Sequence, residues 1–330
     1  MVIGRCAAAG LLALACNDAS TISPQHTTRA ELNAECERCH ADIAREWRGS
    51  LHQRSASNDA FARAYAIEAD PFCWSCHAPE PEPRSKELGT ACVTCHFDAH
   101  GALRSARLDV PVASRHELRR TDELRGSRAC AGCHEFAFPS PLPGDRQMMQ
   151  TTLSEHERSP YAAQRCSDCH MPVVAGHRSH AFASTRDPAA LARALSVVAS
   201  RDGDRLLLEL TPQRVGHAFP TGDLFRRLRV VAEAKQGEQV VRREQRFLAR
   251  HFEYRSQGGV SRRIEVSDDR PGTHSQDRGA AHVAFDFGAA PGLPLSFRVS
   301  YERVDHLRGD SEDEAVVGEA VLLAAGEIPP

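Results

Sequence analysis

Apolar and polar positions follow two different patterns along the chain. Over residues 31–196 the apolar residues come in short bursts rather than long periodic runs. Residues 42–51 and 57–69 have the spacing of short helices, and 187–199 predicts an amphipathic helix that closes this half. Between the bursts the chain is rich in Pro, Gly and Arg. Pro79, Pro81 and Pro83 make one extended linker, and Pro139, Pro141 and Pro143 make another. After Ser200 the pattern becomes that of strands. Residues 206–210, 228–234, 239–244, 263–266, 282–287, 295–304 and 314–323 alternate or cluster β-forming residues, separated by turn signals such as Asp202-Gly203 and Gln236-Gly237. About seven short strands predict an immunoglobulin-like β-sandwich. No cysteine pair staples it, so it has to rely on its own apolar core. The expected fold class is α+β, with a mainly helical and irregular first domain over 31–199 and the sandwich over 200–330.

Ahead of both, residues 1–15 read as a signal peptide. Arg5 supplies the charge, residues 7–15 the short apolar stretch, and Ala13-Leu14-Ala15 the small-x-small cleavage pattern. The run is shorter than the roughly 20 residues that span a bilayer. Cys16 follows directly and reads as the acylated cysteine of a bacterial lipoprotein. The match is partial, because Ala13 stands where a branched apolar residue is usual. Plain secretion or an uncleaved anchor is the alternative. Residues 16–30 are polar and Ser/Thr-rich, as a tether would be. The expected location is therefore periplasmic, outer-membrane-anchored or extracellular.

Composition sharpens the chemistry. Aromatic residues are only 6% of the chain, so something besides side chains is expected to fill the interior. The balance of 41 basic and 44 acidic residues lacks the basic excess of a nucleic-acid binder. The unusual counts are 12 Cys and 17 His. Ten of the cysteines fall in five segments of one form: Cys36-Glu-Arg-Cys39-His40, Cys73-Trp-Ser-Cys76-His77, Cys92-Val-Thr-Cys95-His96, Cys130-Ala-Gly-Cys133-His134 and Cys166-Ser-Asp-Cys169-His170. CxxCH is the attachment signature of c-type haem. The two thiols add to the haem vinyl groups, and the following His swings under the iron as proximal ligand. Zinc is the competing reading, but structural zinc wants paired CxxC segments forming four-cysteine sites. Five segments do not pair off, and zinc places no demand on the residue that follows, which here is always His. Thioredoxin-like redox motifs would not recur five times in one small region. The expected cofactors are five haem c, packed densely enough to be much of the core, with the short interval from Cys73 to Cys92 predicting one especially close pair.

Each iron needs a second ligand. Beyond Met1 the chain has only Met148, Met149 and Met171, which cannot serve five haems. Most sites are expected to be bis-His, which gives lower potentials than His/Met ligation. His116, in the long interval between Cys95 and Cys130, and His100, four residues past His96 and better placed for a neighbouring haem, are candidates by position. Trp74 and Tyr161 read as haem-packing aromatics. Arg226, Arg227 and Arg229 read as a solvated strand face, with haem propionates as the alternative.

Three further stretches resemble the multihaem cytochrome c-554 family, and more closely bacterial relatives with a C-terminal β-domain. The first runs from Cys39-His40 through Glu46-Trp47-Arg48-Gly49-Ser50-Leu51-His52. The second is residues 166–172 followed by His180-Ala181-Phe182, and the third is Val215-Gly216-His217-Ala218-Phe219-Pro220-Thr221-Gly222-Asp223. Residues 130–138 with Gln150-Thr151 also fit. The resemblance implies distal ligands at His52, His180 and His217. The competing readings are a surface helix His at position 52, His177 in place of His180, and a loop-packing His at position 217. One departure stands out: Glu155-His156-Glu157-Arg158-Ser159 has His156 where relatives often have Trp, which leaves its role open. His26 lies in the tether, and His251, His274, His282 and His306 lie in the β-half, where ligation is not expected.

The favoured function is electron transfer with other redox proteins as partners, the β-domain serving as a docking module and, through His217, as a lid on one haem. The rival is a reductase or oxidase of nitrite, hydroxylamine or a similar small molecule at one five-coordinate haem. No CxxCK motif is present. Yet only His52, His116, His180 and His217 are persuasive distal ligands for five irons. A third reading makes the β-domain a partner-binding module with a haem-bearing head.

Overall fold

The computed structural model describes residues 28–330 except 83, 109–113, 115, 140–146, 183–186, 258–259, 273–278, 289–290 and 308–311. The proposed signal peptide and Cys16, most of the tether with His26, and also Pro83, Pro141, Pro143 and His274, lie outside the described residues.

The first half is a series of short helices. Thr28 opens the first, Arg29–Cys39, with a capping box: its hydroxyl accepts from Glu31 N, and the Glu31 carboxylate accepts from Thr28 N. Ala41–Gly49 follows, and Asn58 caps Asp59–Ile67 by accepting from Phe61 N. Four CxxCH segments form or end their own helices, Trp74–His77, Cys92–His96, Arg128–His134 and Cys166–His170, while Cys36 and Cys39 end the first helix. One helical turn places residues three and four apart on the same face, which is how both thiols and the His of a motif point one way. The apolar core here is small: Leu32, Trp47, Ala91, Val93 and Phe97. The Trp47 indole N–H donates to Thr90 O at 2.8 Å, and Asn33 Oδ1 accepts from Cys92 N at 2.9 Å, fastening the first two helices to the third motif.

The second half is β-structure: β1 (Leu195–Asp202), β2 (Arg205–Pro212), β3 (Arg226–Gln236), β4 (Gln239–Leu248), β5 (Arg250–Gln257), β6 (Val260–Asp268), β7 (Ala281–Asp286), β8 (Leu295–His306) and β9 (Val316–Ile328). They form a three-stranded sheet in the order β7-β2-β1, a four-stranded sheet β4-β3-β8-β9, and a separate hairpin β5-β6, all antiparallel. Leu206, Leu208, Leu210 and Phe285 from the first sheet and Leu228, Val230, Phe297, Val299 and Tyr301 from the second share one apolar core. The chain is thus α+β.

Two elements differ from the sequence reading. The helix expected over 187–199 is only Pro188–Arg193, capped by Asp187, and the chain is strand from Leu195. Leu195, Val197 and Ala199 pack on the sheet core at alternate positions, and that period-two burial overrides the helical spacing. Strand β5 was not expected, because its residues are mostly polar and half-exposed. Arg227 is also not on a solvated face. It is buried, ion-paired with Glu302 at 2.8 Å and stacked over the Phe247 ring.

The halves are joined by buried polar contacts. Glu155 and Arg270, each about 97% buried or more, are 2.7 Å apart. Glu155 also accepts from Thr151 Oγ1, Thr221 Oγ1 and Ala218 N, while Arg270 reaches Asp268 and Pro220 O. Arg250 donates to the Met148 and Met149 carbonyls, and Arg63 pairs with Asp305 at 2.6 Å.

Candidate functional site

A single cavity of about 3210 Å³ runs through the first half and its junction with the β-sheets. That is about three times the upper size of a typical small-ligand pocket, ~1,000 Å³. All ten motif cysteines and all five motif histidines line it. The motif cysteines form no disulfides, and among the described residues no group of three or more His, Cys, Asp or Glu side chains is gathered to hold a metal ion directly.

What the fold assembles instead is histidine pairs. His40 stands 6.2 Å from His116 between ring centres, His134 is 6.3 Å from His52, His96 is 6.2 Å from His180, and His170 is 6.3 Å from His217. Two imidazoles that share one metal at about 2.0–2.1 Å per nitrogen have centres roughly 6 Å apart, once about 1 Å from each nitrogen to its ring centre is added. Each pair therefore leaves room for one iron, with a motif His on one side and a non-motif His on the other.

Ring orientation is fixed from behind. His96 Nδ1–H donates to Arg104 O, His180 Nδ1–H to Arg178 O, His217 Nδ1–H to Ala218 O and His77 Nδ1–H to Ser55 O, at 2.7–3.0 Å. A carbonyl acceptor on Nδ1 selects the tautomer with a free Nε2, the usual arrangement behind a metal-bound imidazole. Burial also favours the neutral, ligating form of six of the histidines. Burial, followed by the neighbouring His134, His170 and His180, pushes His52 down to about 4. Burial likewise lowers His40, His77, His134, His180 and His217.

The other candidates are placed differently. His156 has both ring nitrogens within 2.8 Å of carbonyl oxygens, Gly216 O and Gln164 O, so neither is left for an iron. His177 Nε2 is bonded to Glu46, whose other oxygen accepts from His180 N, so Glu46 holds both and leaves the His180 ring facing His96. His100 is exposed on a turn closed by Asp98 and is not among the cavity-lining residues. His251 lies between Asp269 and Glu312 at the surface of the β-half. Tyr161 and Met171 line the cavity; Trp74 packs instead on Phe61 and Tyr65.

His77 stands apart from the other motif histidines. Among the described residues, the ring against it is Phe61, stacked at 3.9 Å and 15°. Nothing in a CxxCH pattern marks Phe61, which is half-buried on the helix Asp59–Ile67 ahead of the second motif. The motifs also meet out of sequence order. The Cys76 thiol touches that of Cys133, and Cys130 touches Cys166, so the fourth motif adjoins both the second and the fifth. Cavity size, thiol placement and paired imidazoles together fit covalently held haems.

No protein-family model and no curated protein sequence matches the chain. Among solved structures it is similar to a penta-heme cytochrome c552 from Thermochromatium tepidum, with 21% sequence identity and a TM-score of 0.63 over 89% of this chain and 97% of that one. At this identity the likeness is one of fold.

Proposed function

We propose that this chain is an electron-transfer protein carrying five c-type haems, most of them with two histidine ligands, in an extracytoplasmic respiratory chain. The observation that carries this reading is the set of four histidine pairs, each joining one motif His to one non-motif His across a gap of 6.2–6.3 Å. The shared fold with a penta-heme cytochrome and the resemblance of the motifs to the cytochrome c-554 family support it. Bound haem supplies one-electron redox chemistry, while the protein supplies position, ligands and electrostatics. Here the ten cysteines would tether the haems, the four histidine pairs would ligate their irons and keep potentials low, and the fourth motif would be the junction from which the array branches toward the second and the fifth.

We read the second half as an immunoglobulin-like sandwich that docks redox partners. Its support is the three-plus-four strand arrangement, β7-β2-β1 against β4-β3-β8-β9, with the hairpin β5-β6 inserted between β4 and β7. Through His217 it covers one haem. Export and a lipid link at Cys16 complete the reading, placing the protein in the periplasm or at the outer membrane.

One observation favours a second reading. Four motif histidines face a second histidine at 6.2–6.3 Å, whereas among the described residues the ring recorded against His77 is Phe61, stacked at 3.9 Å, and no histidine is paired with it. A five-coordinate haem at His77 would make the chain a reductase or oxidase of a small molecule. Low-temperature EPR of the oxidised protein decides. Only low-spin ferric signals are expected of a pure relay; a high-spin signal from one haem would establish the second reading.

A further inference from the structure

The floor of the junction next to His77 is built from β-half residues. Phe61, stacked on His77, and Arg63, paired with Asp305, lie on the same short helix, so the end of β8 stands beside the His77 site. Asp223, whose charge acts on His77, lines the same cavity as Arg226, Tyr301 and Arg303. Asp223 is ion-paired with Arg226 at 3.1 Å, and Arg226 also donates to Thr221 O. Gly222, at φ +117, leaves the space into which the Arg226 guanidinium folds; a Cβ there would lie 2.7 Å from its central carbon.

Two donors in this group are unsatisfied. The Tyr301 hydroxyl and Arg303 Nε are buried, on residues 2% and 8% exposed, and among the described residues neither has a hydrogen-bond partner. The Arg303 guanidinium has Glu319 at 3.9 Å and acts on the Asp223 carboxylate. A buried orphan donor costs about 1–3 kcal/mol, so two of them on one cavity wall point to an acceptor that arrives from outside the chain. Asp223 senses both sides: burial pushes its carboxyl up, Arg226 and Arg303 more than offset this, and its charge acts on His77.

We propose that Tyr301 and Arg303, held in place by the Asp223–Arg226 pair, form a receptor for a small anion beside the haem that His77 would carry. The proposal rests on the second functional reading, the open haem at His77. Two donors, one of them cationic, select an anionic ligand over a neutral one of the same size. A haem propionate is the other acceptor of the same chemistry, and the test separates the two.

The test uses the exported, haem-loaded protein. Azide is titrated into the oxidised form and carbon monoxide into the reduced form, both followed in the Soret band, for the parent, Tyr301→Phe and Arg303→Gln. The expected result is that azide binds about tenfold or more weakly to each variant, as loss of a charge-assisted hydrogen bond requires, while carbon monoxide affinity is unchanged. Equal azide affinity in parent and variants overturns the proposal. So does parallel weakening of both ligands, which assigns the donors to haem propionates. If the parent binds neither ligand, the open-haem reading itself fails and takes the proposal with it. Tyr301→Phe keeps the ring in the sandwich core, so it decides the matter alone should Arg303→Gln not fold.

Discussion

His217 faces His170 with ring centres 6.3 Å apart and planes 11° from parallel, although one belongs to the fifth motif and the other to the loop between β2 and β3. The pairing ties the β-half directly to the fifth motif. His217→Ala is expected to convert one low-spin ferric haem to high-spin. EPR of the purified variant reads this, and an unchanged low-spin spectrum would refute the pairing.

The backbone of His52, a proposed ligand, is held by a glycine. Gly89 has φ +60, and a Cβ there would run into the carbonyl oxygens of His52 and Gln53. Thr90 N also donates to His52 O at 2.8 Å. Gly89→Ala therefore strains the backbone that aims His52 at His134. The expected outcome is a shifted or broadened EPR signal from one haem only; a spectrum identical to the parent's would show that the turn does not set the ligand.

The Glu155–Arg270 pair is buried at the junction between the halves. Removing the Glu155 charge leaves the buried Arg270 with Asp268 alone and weakens the acceptor for Thr151, Thr221 and Ala218, at an expected cost of about 1–3 kcal/mol. Denaturant unfolding of Glu155→Gln, compared with the parent at neutral pH, measures this. A loss below about 1 kcal/mol would reduce the pair to a surface-like contact.

The pH dependence has a visible source at His251. Hydrogen bonds that its ring donates to Asp269 and then Glu312 raise its pKa to about 10. The folded value lies above the unfolded one, so the stabilisation is complete below about pH 6.5 and is lost as pH rises toward 10. The parent should lose stability between pH 6.5 and 10 relative to His251→Gln. Parallel curves in urea unfolding across that range would contradict the assignment.

Much of the proposed site can be read in the chain because covalent attachment of haem would demand a fixed local sequence. A thiol pair and its His must fall within one helical turn, so the five motifs declare themselves. Which histidine meets which is set by tertiary packing, and only the structure brings His116 to His40 or His52 to His134. The apolar strands around Leu208, Val230 and Val299 were legible from burial at alternate positions, whereas β5 was not, because its register is fixed by polar partners on β6. Asp223, Tyr301 and Arg303 carry no spacing signal at all. They converge on the cavity from β8 and the loop before β3, and that convergence is a property of the fold.

The most direct measurement is of the covalent cofactors themselves. Intact-mass analysis of the exported protein, with an alkaline pyridine haemochrome spectrum, should show five haem groups thioether-linked through Cys36/Cys39, Cys73/Cys76, Cys92/Cys95, Cys130/Cys133 and Cys166/Cys169. Free thiols at these positions, or zinc without porphyrin, would contradict the account.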